Sequence, residues 1–229
     1  MTDAPQEPEG SPPKLDFGAA EPTLSSLDAS PSNAAALRIV RRWREWPAPA
    51  LCVVGPPACG LTTLSRAWAK EAGGRCVAAA DVDSVASTAA VAIDDADLIQ
   101  DEGALLTLLN QAGADDGRVL LTARRPPAAW DVLSKDLRSR LSAAPVVEIE
   151  PPDEEMTALR LRSACRRRYM KLPDDVVDYL CIRLERTYAG IERFVERLDA
   201  LVDKTGRRPT IPLAREALEA DADQPDLFE

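Results

Sequence analysis

The sequence predicts an α/β fold: a three-layer arrangement with a parallel sheet between helices, followed by a small all-helical domain. Two observations carry this reading. Between residues 48 and 150, short apolar runs alternate with helical segments, and a glycine-framed loop joins the first run to a helix. Beyond Pro151 and Pro152, every periodic segment has helical spacing. Short, continuous apolar strands separated by helices are what a parallel sheet buried on both faces requires, because each crossover lays a helix over one face.

The elements follow in order. Residues 1–30 are rich in Pro, Glu, Ser and Ala and poor in large apolar side chains. They bury too little to offset the entropy of ordering, so a flexible arm is expected. Ser30-Pro31-Ser32-Asn33 reads as a helix start, with Ala34, Leu37 and Val40 at helical spacing and an end before Pro47. Strands are expected at 50–54, 76–79, 90–93, 118–122 and 145–149. Helices are expected at 62–72, ended by Gly73 and Gly74, and at 102–111, with leucines at 105, 106, 108 and 109. This first domain spans 31–150. The helical domain spans 151–220, with helices near 153–171, 174–186, 188–204 and 211–220. Residues 221–229 form an acidic tail.

Acidic residues outnumber basic ones, 38 to 28, for a net charge of -10. Phosphate-backbone binding needs a basic face, so nucleic acid is not an expected partner. The basic runs Arg166-Arg167-Arg168 and Arg207-Arg208 read as solvated faces near helix ends. The cysteines, Cys52, Cys59, Cys76, Cys165 and Cys181, are scattered, odd in number and without a CxxC pair. Neither a zinc site nor a disulfide framework is predicted, and a reduced, cytoplasmic compartment fits best. The acidic, proline-rich start lacks the apolar centre of a signal peptide. No apolar run reaches the ~20 residues of a membrane span, so no membrane association is expected. The chain has no histidine, which excludes imidazole as base, nucleophile or metal ligand.

Four segments carry candidate chemistry. The first, Gly55-Pro56-Pro57-Ala58-Cys59-Gly60-Leu61-Thr62-Thr63, lies between a strand and a helix. That is the setting in which a P-loop, GxxxxGK[ST], wraps phosphates with backbone N–H groups at a helix N-terminus. The glycines, the loop length and Thr62 are in place, but Leu61 stands where the lysine belongs. A P-loop lysine puts a point charge at the terminal phosphates. With leucine there, the amide cradle and the Mg2+-directed hydroxyl remain and the charge is gone. Weak triphosphate binding and very slow intrinsic hydrolysis are expected. Cys59 raises the idea of redox control, although a lone loop cysteine is more often incidental. The alternative for the whole loop, a mere strand-to-helix turn, is disfavoured by the flanking strand and helix.

The second segment, Val91-Ala92-Ile93-Asp94-Asp95, is an apolar strand ending in adjacent acids, the Walker B arrangement. Asp94 would hold Mg2+ through water and Asp95 would orient an attacking water. Acids also follow strands for no chemical reason, so the preceding P-loop strengthens this reading. The third is Thr122-Ala123-Arg124-Arg125-Pro126-Pro127. Thr122 stands where a hydroxyl senses a γ-phosphate; equally, it reads as a satisfied strand-end hydroxyl. The fourth is Asp136-Leu137-Arg138-Ser139-Arg140-Leu141 on a helix at the sheet edge. An arginine there can reach a neighbouring molecule's γ-phosphate and raise hydrolysis by roughly 10³–10⁵. Arg138 and Arg140 point nearly opposite ways on a helix, so only one can serve.

The order of these segments, followed by Ile149-Glu150-Pro151-Pro152-Asp153, resembles the AAA+ module of the DnaA/Hda family over about residues 24–220. The resemblance implies an AAA+ P-loop fold with a helical lid, and it selects Arg140 in Ser139-Arg140-Leu141 as the arginine finger. Asp94-Asp95 is the family's usual Walker B form. Arg208-Pro209-Thr210-Ile211-Pro212 is similar to a late segment of Hda-like lids. Two departures matter: Leu61, and a sensor II arginine whose position falls on Ala189, with Arg193 one turn later as substitute. Together they imply a degenerate P-loop that takes ADP or ATP with Mg2+, ADP favoured, and no self-sufficient ATPase.

The resemblance further implies a negative regulator of replication initiation in the style of Hda. Such a protein binds the sliding clamp, the β subunit of DNA polymerase III, and promotes hydrolysis of ATP held by DnaA. A candidate clamp peptide is Gln224-Pro225-Asp226-Leu227-Phe228 in the acidic tail. Gln224 would fix its amide on a pocket rim while Leu227 and Phe228 fill a groove. Relatives usually carry such a peptide at the N-terminus, where Lys14-Leu15-Asp16-Phe17 lies here without the glutamine. Two rivals stand beside this reading. One is a catalytically inert AAA+ scaffold that recruits DnaA or another replication protein. The other is an initiator-like factor acting on DNA, disfavoured by the acidic charge and by a sequence that stops after the lid.

Overall fold

The computed structural model describes residues 21–85 and 89–222. Five strands, β1 (Ala50–Val54), β2 (Arg75–Ala78), β3 (Ala90–Asp94), β4 (Arg118–Ala123) and β5 (Val146–Glu148), form one sheet in the order β2-β3-β4-β1-β5. Every neighbouring pair is parallel, as the continuous apolar runs predict. Strand alternation sorts the side chains into two cores. Cys52, Val54, Val91, Ile93, Val119 and Leu121 face α3 (Glu102–Ala114) and α4 (Lys135–Ala143). Leu51, Val53, Ala90, Ala92 and Leu120 face α1 (Pro31–Arg41) and α2 (Leu61–Ala72).

The second core is organised by tryptophan. Trp46 stacks on the fully buried Trp68 with ring centroids 5.6 Å apart, and Trp43 meets Trp68 edge-on at 6.1 Å. This core also corrects the flexible arm expected over 1–30, because residues 21–30 pack. Leu24 is buried in the tryptophan core. Arg41 Nη2 donates to the Leu24 carbonyl at 2.9 Å, and Lys70 Nζ pairs with Glu21 Oε2 at 2.8 Å. One buried leucine with polar ties on either side orders a segment whose average composition argues against order.

The helical lid consists of α5 (Glu154–Arg167), α6 (Asp174–Cys181), α7 (Tyr188–Thr205) and α8 (Ile211–Ala222) around its own core of Leu161, Leu180, Phe194 and Leu198. Helix α5 stops short of the expected 171, since Tyr169 takes a left-handed backbone with φ 56°. The basic run at its end lies against an acidic face of α7: Arg167 pairs with Glu192, and Arg168 with Glu192, Glu196 and Asp199. Among the described residues, no helix is long and apolar enough to cross a membrane.

Asp153 joins lid to sheet. Its Oδ1 accepts from the Met156 amide at 2.7 Å, capping α5. Its Oδ2 accepts from the Ser32 amide at 2.9 Å and the Ser30 hydroxyl at 2.8 Å, at the start of α1. Burial pushes the Asp153 carboxyl up, but these three donors outweigh it and hold the group below the usual carboxylate range. Beside it, the Tyr188 hydroxyl donates to the Glu150 carbonyl at 3.3 Å.

Candidate nucleotide site and arginine finger

The Gly55–Thr63 loop leaves β1 where the strand order reverses, since β1 lies between β4 and β5. Ligands of open α/β sheets sit outside the strands' carboxyl ends at such a point. Ala58 and Gly60 take left-handed conformations, with φ 62° and 103°, which turn the loop into α2. Gly60 caps that helix without a side chain, so the first amides of α2 are left for an anion. The loop is closely folded: a Cβ on Gly55 would lie 2.6 Å from Cys59 Sγ and 3.3 Å from Ile149 Cβ.

Leu61 is only 3% exposed and joins the second core with Ile149 and Met156. The side chain at the lysine position therefore belongs to the core and not to the phosphate cradle. Thr62 and Thr63 are exposed at the first turn of α2. Burial pushes the Cys59 thiol up, and Arg124, the Leu61 amide and Arg160 counter it only in part. Such a thiol holds little thiolate, which argues against redox chemistry at this position.

Asp94 ends β3, and Asp95 follows in a left-handed conformation with φ 52°. Thr122 Oγ1 donates to Asp94 Oδ1 at 2.7 Å and lies 3.0 Å from Ser65 Oγ. A hydroxyl has one proton, so Ser65 donates to Thr122 and Thr122 to Asp94. Thr122 is fully buried. Its hydroxyl holds the Asp94 carboxylate in place and is not presented to the loop.

Arg140 lies in the last turn of α4. It is exposed, and among the described residues it makes no hydrogen bond or ion pair, with Asp136, Glu148 or any other group. Arg138, by contrast, donates through Nη2 to the Val132 carbonyl. The entry to α4 is fixed by Glu102, whose carboxylate accepts from the Leu133 amide at 2.7 Å and the Ser134 amide at 2.8 Å. Those two bonds hold the Glu102 carboxyl below its usual range.

Residues 153–218 match the family described as Hda, lid domain. The chromosomal replication initiator protein DnaA of Nautilia profundicola is 30% identical over 102 residues, which cover 44% of this chain and 23% of that protein. Domain III of the Thermotoga maritima replication initiation protein DnaA superposes with a TM-score of 0.69 at 18% identity, covering 93% of this chain and 100% of that one. The lid thus matches the Hda lid family, and the whole chain has the fold of DnaA domain III. AMPPCP-bound DnaA of Aquifex aeolicus has the same fold, with a TM-score of 0.68 at 20% identity over 91% of this chain and 72% of that chain. The chain spans 23% of the length of the curated DnaA relatives.

Within the lid, the structure brings a different arginine to the loop from the one expected. Arg193, the substitute for a sensor II arginine at Ala189, is exposed and lies 3.8 Å from Glu185 Oε2. It does not meet the loop, because that side of α7 faces Glu185 and solvent. Arg160 on α5 does: its Nη2 donates to the Ala58 carbonyl at 2.6 Å, with the guanidinium 5.5 Å from the Tyr188 ring. From the sheet side, Arg124 Nη1 donates to the Pro56 carbonyl at 2.8 Å. Sequence reasoning singles out neither. For Arg160 a signal exists, since Met156, Arg160 and Ala164 share one helix face whose outer two members are buried. For Arg124 there is only its place after Thr122. Gln224, Leu227 and Phe228 lie outside the described residues.

Proposed function

We propose that this chain is an Hda-like negative regulator of replication initiation, working in the cytoplasm and supplying Arg140 in trans to ATP held by DnaA. The observation that carries this reading is the state of Arg140: exposed on a fixed helix, with no partner among the described residues. A trans-acting arginine neutralises charge that develops on the γ-phosphate only in the transition state, so it must be free beforehand. The chain's own loop supports the complementary half, a nucleotide held without turnover. The α2 amides suit a phosphate, while the Thr62 hydroxyl and Asp94 carboxylate are the hard oxygen donors that Mg2+ prefers. Asp95 stands ready to orient a water, but Leu61 supplies no charge for a third phosphate. ADP is therefore favoured over ATP. Through Gln224, Leu227 and Phe228 the tail would dock on the β subunit clamp of DNA polymerase III.

The deciding experiment measures labelled phosphate released from DnaA-bound ATP with clamp and DNA present. The wild-type chain should accelerate release and Arg140→Ala should not. A wild-type chain that binds DnaA and leaves its hydrolysis unchanged would instead be the inert scaffold, a reading favoured by the burial of Leu61 and the commitment of Thr122.

A further inference from the structure

We infer that Arg124 and Arg160 form a two-arginine clamp for the terminal phosphate of a nucleoside diphosphate, replacing from outside the loop the charge lost at Leu61. This rests on the reading that the loop holds a nucleotide. The two side chains approach from opposite sides, Arg124 from the end of β4 and Arg160 from the lid, and grip the carbonyls of Pro56 and Ala58. Arg160 also lies over the helix entry, since its Nη1 is 3.9 Å from where a Cβ on Gly60 would stand. Both guanidinium groups therefore border the space that the α2 amides face.

Neither charge is neutralised where it sits. Arg124 has no carboxylate partner among the described residues; its side chain bonds only the Pro56 carbonyl. Arg160 has Glu192 Oε1 at 4.0 Å, but that carboxylate is shared with Arg167 at 2.7 Å and Arg168 at 3.8 Å. One carboxylate thus faces three guanidinium groups. In addition, the Nε of Arg160 is buried without a hydrogen-bond partner. A charged donor resting on a neutral carbonyl gains by exchanging it for an anionic oxygen, and the planar guanidinium fork suits phosphate in particular. With the loop empty, the same arginines close it by holding its carbonyls. With a diphosphate bound, Arg160 ties the lid to the ligand, so occupancy also restrains the lid.

The test titrates ADP into the full chain and into variants, alongside melting temperatures without nucleotide. Arg160→Ala should weaken ADP about tenfold or more, Arg124→Ala severalfold, and the double variant more than either. Two conservative changes separate charge from structure. Arg160→Lys keeps a charge and a donor, whereas Arg160→Gln keeps only a donor for the Ala58 carbonyl. The clamp predicts that Lys, which keeps the charge without the fork, retains part of the affinity and Gln loses it, with both melting close to wild type. Affinity for ADP that is unchanged in the double variant, or fully kept by Gln, overturns the clamp and leaves the nucleotide reading intact. A wild-type chain that binds neither ADP nor ATP overturns that reading and the clamp together.

Discussion

The loop rim and the α4 edge carry the same residue type in opposite states. At the rim, Arg124 and Arg160 fold back onto carbonyls of their own chain, and Thr122 is committed to Asp94. At the edge, Arg138 is likewise engaged, but Arg140 is exposed and unengaged. The rim's charges can act only on what the loop holds, while the edge's charge can act only on another molecule. Leucine at the lysine position beside an unengaged arginine on α4 is the pairing that the proposed regulator requires.

The largest expected effect tests the edge. Arg140→Ala should reduce stimulated phosphate release from DnaA-bound ATP by about 10³-fold. Because the side chain is exposed, folding stability should move by no more than about 0.5 kcal/mol. Undiminished release would break the comparison and point to Arg138. The next effect belongs to the rim. Leu61→Lys, which would restore the P-loop signature, places an ammonium in the core and should cost about 2–4 kcal/mol in urea unfolding without nucleotide. Wild-type stability in that variant would mean the lysine escapes to the loop surface, making rim and core less distinct than described.

Smaller effects sharpen the contrast. Thr122→Val strands the Ser65 hydroxyl and removes a donor from Asp94, at about 1–3 kcal/mol by denaturant titration, without touching Arg140. Asp153→Asn can still cap Met156 but turns an amide donor toward the Ser30 and Ser32 donors, and should cost about 1–3 kcal/mol. Its pH dependence has a definite sign. The folded carboxyl lies below the ordinary value of 3.8, so its contribution is complete above that value and is lost as pH falls through the lower folded one. Wild type should therefore outlast the Asn variant in thermal melts at neutral pH, and the two should converge in acid. A gap that widens in acid would refute the assignment.

The sheet was legible because its signals are local. Each strand is an apolar run bounded by glycine, proline or acids, and each lid helix has a cap or a proline at its start. The loop's place between β1 and α2 was legible for the same reason, whereas Arg140 was singled out only by a resemblance in three residues. What escaped the sequence depends on pairs far apart in the chain. Leu24 finds the tryptophan core across α1, and Ser65 meets Thr122 over a separation of 57 residues. Arg160 reaches Ala58 over 102 residues; its buried helix face hints that it points inward, but nothing local names the partner. Arg193 shares a helix face with Ala189, but its side chain is exposed and turned to Glu185, which the local sequence does not reveal.

Asp153 serves two helix starts with a single carboxylate, and this has a kinetic consequence. The amides of Ser32 and Met156 lie in different domains, yet both donate to it. A swing of the lid that carries the carboxylate off α1 leaves the Ser32 amide only the longer 3.3 Å bond to the Ser30 hydroxyl, while Met156 stays capped. Unfolding of α5 alone frees both at once. Amide hydrogen exchange at these two residues therefore reports separately on rotation and on melting: a Ser32 amide that exchanges faster than that of Met156 times the lid's excursions, and equal rates mean that the lid moves only by unfolding its first turn.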